Sequence, residues 1–375
     1  MRGEANWKIL KLNGRDRIDM EKEQITIVVP AYNAETTLQT TLDSILQQTS
    51  SKWKLIIVND GSTDSTEEIG KRCEQNHPNK VRYFYQQNKG LGGARNSGMD
   101  LVDTPYIAFI DSDDWLKADY VKNIIEQIDK SKKEKPEIIL TLPEVYDENS
   151  RLVFPWYDKT LFCSIFVKDG ICVNPQKDKR IYRTDVSQCR KVIQMDFVRR
   201  IQFRFRESVK WEDIYPHFYL ITHCRRCMGV GSSGFYYRKG SENQITASRG
   251  KDRMDLIVVY KELLPFLHKS DREIVYAVMR IMVSFANEAV KLADTNVRKE
   301  LVLAFYQFFR AVPRSCDRIL YCKAKKYLEK TEVRQYYIFL IIIRHKFLLK
   351  VFYDYLYRDA SEYILKKMIR KLNRK

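Results

Sequence analysis

Three short apolar runs, at residues 25–29, 54–58 and 106–110, each end abruptly in a cluster of polar residues. An apolar run of that length bounded by turn residues reads as a buried strand. Between the first two lies a helical pattern in which Leu38, Leu42, Ile45 and Leu46 recur at helical spacing, with Asn33 placed to cap its start. A polar helix and a further strand at residues 81–85 follow the second run. Strands alternating with helices in this way predict a mostly parallel α/β sheet flanked by helices. In such sheets ligands bind beyond the carboxyl ends of the strands, which is where the polar clusters fall.

The third cluster carries the most chemistry. Asp111, Asp113 and Asp114 follow directly on an apolar strand. Crowded carboxylates repel one another, so such a cluster points to a compensating cation. Oxygen donors suit Mn²⁺ or Mg²⁺, which commonly share their coordination with substrate phosphates. Capping of a helix beginning near Lys117 would account for one of the three aspartates only. Asp60, in Asn-Asp-Gly-Ser, can accept a hydrogen bond from the edge of a base, or simply form a turn with Gly61. Residues 88–98 read as a glycine-rich loop in which Arg95 offers a charge-assisted fork to phosphate oxygens. Their spacing is neither a dinucleotide fingerprint nor a P-loop.

Four segments in this order resemble the family 2 glycosyltransferases, inverting enzymes of the GT-A fold. They are Ile27-Val-Val-Pro-Ala-Tyr-Asn33, Ile56-Ile-Val-Asn-Asp-Gly-Ser-Thr-Asp64, Asn88 through Gly98, and Phe109-Ile-Asp-Ser-Asp-Asp-Trp115. The resemblance is close over residues 24–120 and looser to about 250. It implies a nucleotide-diphospho-sugar donor, most often with uracil as base. Pro30, Ala31 and Tyr32 would border the nucleoside and Asp60 the base. Arg95 would lie near the ribose and diphosphate. Asp111 and Asp113 would form the metal-binding motif, with Asp113 the direct ligand, and Asp114 would face the sugar.

The family also places an acidic pair at the start of a helix in the acceptor half, and Lys210-Trp-Glu-Asp-Ile214 resembles it. Asp213 is then the expected general base, with Glu212 holding the acceptor or its own helix terminus; acids in a first helical turn are favourable in any protein. Trp211 is expected either to stack on an acceptor sugar or to be a buried aromatic. Residues 237–246 resemble the late loop that closes over the diphosphate, with Arg238 and Ser241 as donor contacts and without the family's usual histidine.

These readings divide the chain into a polar lead-in at 1–23, a catalytic domain at 24–250 (nucleotide-sugar half 24–120, acceptor half 121–250) and a basic, aromatic-rich helical extension at 251–375. The net charge of +18 implies an anionic partner. Residues 336–357 mix apolar and aromatic side chains with Arg344, Lys346 and Lys350. They fit either a helix lying on an anionic membrane or one packed on the catalytic domain. No apolar run reaches the ~20 residues of a span, so a cytoplasmic chain, peripheral on the inner face of the membrane, is expected. The expected reaction is transfer of a single sugar to a glycan or lipid-linked acceptor in polysaccharide biosynthesis. The rival readings are a non-catalytic basic scaffold and a nucleic-acid-binding protein. Nucleic acid is not expected as a partner, because the conspicuous cluster is acidic and would repel phosphates.

Overall fold

The computed structural model describes residues 23–132, 134–240, 248–268 and 271–327, together with 335, 338–341, 343 and 344. The first half is built as the apolar runs foretell: β1 (Ile25–Ala31), α1 (Leu38–Leu46), β2 (Trp53–Asp60), α2 (Thr66–Asn76), β3 (Val81–Gln86), α3 (Gly90–Asp100) and β4 (Tyr106–Phe109). β1 runs two residues past the expected stop, through Pro30. Beyond Val28 it is paired only with β2, so the missing N–H of Pro30 costs no ladder bond on the β4 side.

β5 (Trp115–Leu116) and α4 (Tyr120–Lys130) come next, then β6 (Ile138–Thr141), β7 (Glu144–Asp147), β8 (Leu152–Pro155), α5 (Lys159–Ile165) and β9 (Cys172–Val173). Then come β10 (Lys191–Gln194), α6 (Met195–Arg200), α7 (Ile214–His223), β11 (Cys227–Val230) and β12 (Phe235–Lys239). The helical extension contributes α8 (Asp255–Leu267), α9 (Arg272–Leu292), α10 (Thr295–Ala311) and α11 (Arg314–Tyr327).

The main sheet has the order β3-β2-β1-β4-β10-β6-β11-β9. β1 to β4 are mutually parallel, and β10 is inserted antiparallel between β4 and β6. Both faces are covered. Ile25, Ile27 and Val29 face α1 and α4, whereas Val28, Ile56 and Val58 share a core with α3, α7 and the four C-terminal helices. Burial on both sides explains why these strands read as unbroken apolar runs rather than alternating ones. A second sheet, β5-β12-β7-β8, stands beside the first. Because β5 directly follows the acidic motif, β12 is brought against Asp113 and Asp114.

Two local expectations are corrected here, and one open alternative is narrowed. Asn33 does not cap α1, which begins five residues later behind Thr37. Its side chain instead accepts from Thr63 N (2.8 Å), and its backbone N–H donates to Ser62 Oγ (3.0 Å), stitching the loop after β1 to the loop after β2. The glycine-rich segment is a helix, α3, and not a phosphate loop. Its glycines serve close packing. A Cβ at Gly98 would overlap the Val28 side chain, and one at Gly92 would overlap the Arg206 carbonyl. Finally, Phe339, Leu340 and Ile343 are buried in the core, and Arg344 bonds Asp317 (2.7 Å) and the Val312 carbonyl (3.1 Å). This part of the tail packs on the helical extension; residues 345–375, with Lys346 and Lys350, lie outside the described residues.

Candidate active site

Arg95 is the centre of the site. It projects from α3 with its side chain fully buried, its guanidinium beside the rings of Phe205 (5.5 Å) and Phe109 (5.9 Å), which pack edge-on against each other. One guanidinium nitrogen, Nη1, donates to Glu212 Oε1 at 2.7 Å and to Asp213 Oδ1 at 2.5 Å, and Nη2 donates to Asp111 Oδ1 at 3.0 Å. Burial alone would weaken its charge, but Asp213, Asp111 and Glu212 hold it charged. Arg95, expected near the donor ribose and diphosphate, turns its fork to carboxylates of the chain itself. α3 is held in place by Asn96, whose amide donates to Phe205 O and accepts from Phe205 N, both at 2.9 Å.

Glu212 and Asp213 stand immediately before α7, as the helix-opening pattern requires. Asp213 occupies the cap position but makes no capping bond with its side chain. Its two oxygens go elsewhere, Oδ1 to Arg95 and Oδ2 to the backbone N–H of Gln188 at 3.1 Å. Burial, and the neighbouring Asp213 after it, push the Glu212 carboxyl up to about 8 against the pull of Arg95. Asp213 is also raised, by burial and by Asp111, with Arg95 opposing. Burial thus raises both carboxyls of the pair, and Asp213 is the more accessible of the two.

The acidic motif leaves β4 in a turn closed by Asp114 N donating to Asp111 O at 3.1 Å. None of its aspartates caps α4, which begins behind Asp119. Asp114 is buried, and its Oδ1 accepts from Arg238 N at 2.9 Å. Burial, then Asp113 and Asp111, push it well above the usual carboxylate range. Asp113 is raised to about 6 by burial and by Asp111. The Arg238 side chain bonds the Asp113 carbonyl (2.9 Å) and Glu148 (2.8 Å) and lies over the Trp115 ring, so this expected donor residue does sit beside the motif. Ser241 lies outside the described residues.

The surroundings of this motif suit a divalent cation. Asp111 and Asp113 are partly exposed oxygen donors, crowded enough to raise the pKa of Asp113. Carboxylate oxygens of Asp111 and Asp114 and the Cys189 sulfur also lie within 4.8 Å of one another. Burial and Asp111 push the Cys189 thiol well up, which keeps it protonated and a poor partner for a hard ion.

At the neighbouring strand end Asp60 is buried. Its Oδ1 accepts from Gln86 Nε2 (2.7 Å) and Lys89 N (2.8 Å), and burial raises its pKa. Gly61 follows at φ +76°, with the site for a Cβ only 2.9 Å from Asn88 N, so this tight turn requires glycine. Pro30 and Ala31 are buried at the end of β1, and Tyr32 projects from it, 53% exposed. Trp211, expected either to stack on an acceptor sugar or to be a buried aromatic, is partly buried. It packs edge-on against Phe285 of α9 (5.4 Å) and lies 5.9 Å from the Arg253 guanidinium.

Two residues of this site escape a reading of the sequence. Lys191 is fully buried at the start of β10, and its ammonium donates to Ser187 O (2.6 Å) and Val186 O (2.9 Å). That clamp shapes the turn whose Gln188 N–H meets Asp213, and Gln188 Nε2 adds a bond to the Asp213 carbonyl (3.1 Å). The available signal was a lysine abutting the apolar pair Val192 and Ile193.

Comparison with known proteins fits this geometry. Residues 26–174 match the profile of the family described as Glycosyl transferase family 2. Glycosyltransferase GlyA of Streptococcus pneumoniae is 43% identical over 107 residues, 28% of this chain and 15% of GlyA. Minor teichoic acid biosynthesis protein GgaB of Bacillus subtilis is 28% identical over 257 residues, 66% of this chain and 27% of GgaB. The chain thus spans less than a third of either relative. Among solved structures, S. aureus TarS 1–349 in complex with UDP-GlcNAc superposes with a TM-score of 0.61 at 18% identity, covering 86% of this chain and 91% of that one.

Proposed function

We propose that this chain, which carries a family 2 glycosyltransferase domain of the GT-A fold, moves a single sugar from a UDP-sugar to a glycan or lipid-linked acceptor in polysaccharide assembly. The observation that carries the proposal is the Arg95 bridge. One buried guanidinium ties the acidic motif, through Asp111, to the Glu212–Asp213 pair of the acceptor half. A donor's leaving group and an acceptor's reacting hydroxyl are thereby given neighbouring, mutually fixed positions. The UDP-GlcNAc bound by TarS and the teichoic acid in the name of GgaB favour a UDP-sugar and a cell-surface polymer.

In this reading the acceptor hydroxyl oxygen attacks the anomeric carbon, the bond from that carbon to the diphosphate oxygen breaks, and the configuration inverts. Asp213 takes the hydroxyl proton. Its raised affinity for protons makes it a better base than an isolated aspartate, and Arg95 and Gln188 N–H fix its orientation. Glu212, whose affinity for protons is raised by burial and by Asp213, shares the guanidinium nitrogen with Asp213. Asp111 and Asp113 would hold a divalent cation, Mn²⁺ or Mg²⁺, which when bound supplies neutralisation of charge on the diphosphate. Asp60 faces the base, Pro30, Ala31 and Tyr32 the nucleoside, and Arg238 the diphosphate.

Calorimetric titration of the chain with UDP, GDP and dTDP, each with Mn²⁺ and with EDTA, tests the reading. Metal-dependent binding of UDP alone is expected, and Asp113→Ala should abolish its metal dependence. Failure of folded protein to bind any of the three would overturn it.

A further inference from the structure

Exposed large apolar side chains are concentrated in one place. Of the nine among the described residues, five fall between residues 152 and 167: Leu152 (57% exposed), Val153 (49%), Phe154 (44%), Tyr157 (65%) and Val167 (75%). Three of them are consecutive in β8, the outer strand of the small sheet. Successive side chains of a strand point to opposite faces, so β8 is open on both faces as well as along its free edge. Proteins ordinarily blunt such an edge with charge or cover it. An uncovered apolar patch of this kind marks an interaction surface.

The charges decide what it meets. From residue 151 to 168 the exposed charged groups are Arg151, Lys159 and Lys168, all basic. The acid within the segment, Asp158, is buried against Arg190. The acids just outside it are engaged: Asp147 with Ser150, Glu148 with Arg238, and Asp169 with Gly231 N and Ser232. Tyr157 presents its ring outward while its hydroxyl is held by the buried Asp185. A second copy of a chain carrying +18 would be repelled, whereas an anionic surface is attracted. No helix among the described residues is long and apolar enough to cross a membrane.

We propose that β8 and the segment leading through α5 form a docking surface for an anionic lipid bilayer. Leu152, Phe154, Tyr157 and Val167 enter the interface, and Arg151, Lys159 and Lys168 meet lipid phosphates. The surface is continuous with the candidate site. β8 pairs with β7, and β7 with β12, which carries Arg238, while Trp156 packs edge-on against Tyr237 of β12 at 5.6 Å. Docking there sets the mouth of the site at the height of lipid headgroups, where a lipid-linked acceptor presents its sugar. The proposal goes beyond the assigned reaction and does not depend on donor identity.

The test is co-sedimentation of the full chain with vesicles of phosphatidylcholine alone, or with 30% phosphatidylglycerol (about a third anionic, as on cytoplasmic leaflets). Binding to the anionic vesicles is expected, weakened by salt. The triple variant Leu152→Ser, Phe154→Ser, Tyr157→Ser should bind about tenfold more weakly or worse, since each lost apolar contact removes interfacial burial. Unchanged Tm shows that the variant is folded, and the single variant Val167→Ser offers a milder second reading if it is not. Equal binding by the triple variant and the parent would move the membrane contact elsewhere and overturn the proposal. So would absence of vesicle binding, or a dimer that the same substitutions dissociate.

Discussion

Replacing Arg95 with methionine keeps much of the apolar volume beside Phe109 and Phe205 but removes, among the described residues, the only cation bonded to Glu212, Asp213 and Asp111 together. Removing one partner of a buried ion pair costs about 3–5 kcal/mol, because the other charge stays desolvated. Three carboxylates share this cation, but they can take up protons, so the loss stays near that range instead of tripling. In a chain of this size roughly 2 °C of Tm accompanies each kcal/mol, giving a fall of about 6–10 °C at pH 8 in EDTA. The sign of the pH dependence follows from linkage. Without Arg95 the folded Glu212 and Asp213 carboxyls, already raised, rise further above their unfolded values near 4. The folded state then binds more protons than the unfolded chain from about pH 4 up to those raised values. Stability is therefore present at low pH and lost as pH rises through that window. Thermal unfolding of Arg95→Met and the parent at pH 5 and pH 8 reads this directly. A variant within 1 °C of the parent at pH 8, or an equal deficit at both pH values, would refute the reasoning.

Asp213→Asn should leave UDP affinity within about twofold while cutting transfer by roughly 10²–10⁴, the usual worth of a positioned base; near-normal turnover would assign proton removal elsewhere. Lys191→Met should lower kcat with little change in KM, and should move the acid limb of the pH–rate profile upward, because a positive charge near Asp213 is lost along with the turn that presents Gln188 N–H. A drop in kcat with an unmoved limb would reduce Lys191 to a structural role. Gly98→Ala should cost about 1–3 kcal/mol by overpacking α3 against Val28, and urea titration should show it as a lower midpoint at unchanged slope.

The strands of the first half were legible because burial on both faces turns them into plain apolar runs, and because polar clusters mark their carboxyl ends. Glu212 and Asp213 were legible as a helix start. What was hidden depends on partners distant in sequence. The glycines of α3 carry poor helix propensity, and tertiary packing against Val28 and Arg206 overrides it. Arg95 looked like a phosphate ligand because nothing local reveals carboxylates 117 and 118 residues away. Trp211 became a packing residue once α9, far downstream, supplied Phe285. Lys191 reads as a surface lysine until β10 is known to lie inside the sheet.

The antiparallel seat of β10 between β4 and β6 also bears on synthesis by the ribosome. Until residues 191–194 have emerged, β4 has a bare edge and β6 has no neighbour on that side. Arg95 meanwhile waits for counterions at 212 and 213. The stretch matched by the family profile, ending at 174, stops short of all of these. The nascent chain must then carry an open, apolar sheet edge for some twenty residues beyond the profile, a few seconds of translation at ~5–20 residues per second. Chaperone dependence should peak in that interval, before β10 slots between β4 and β6.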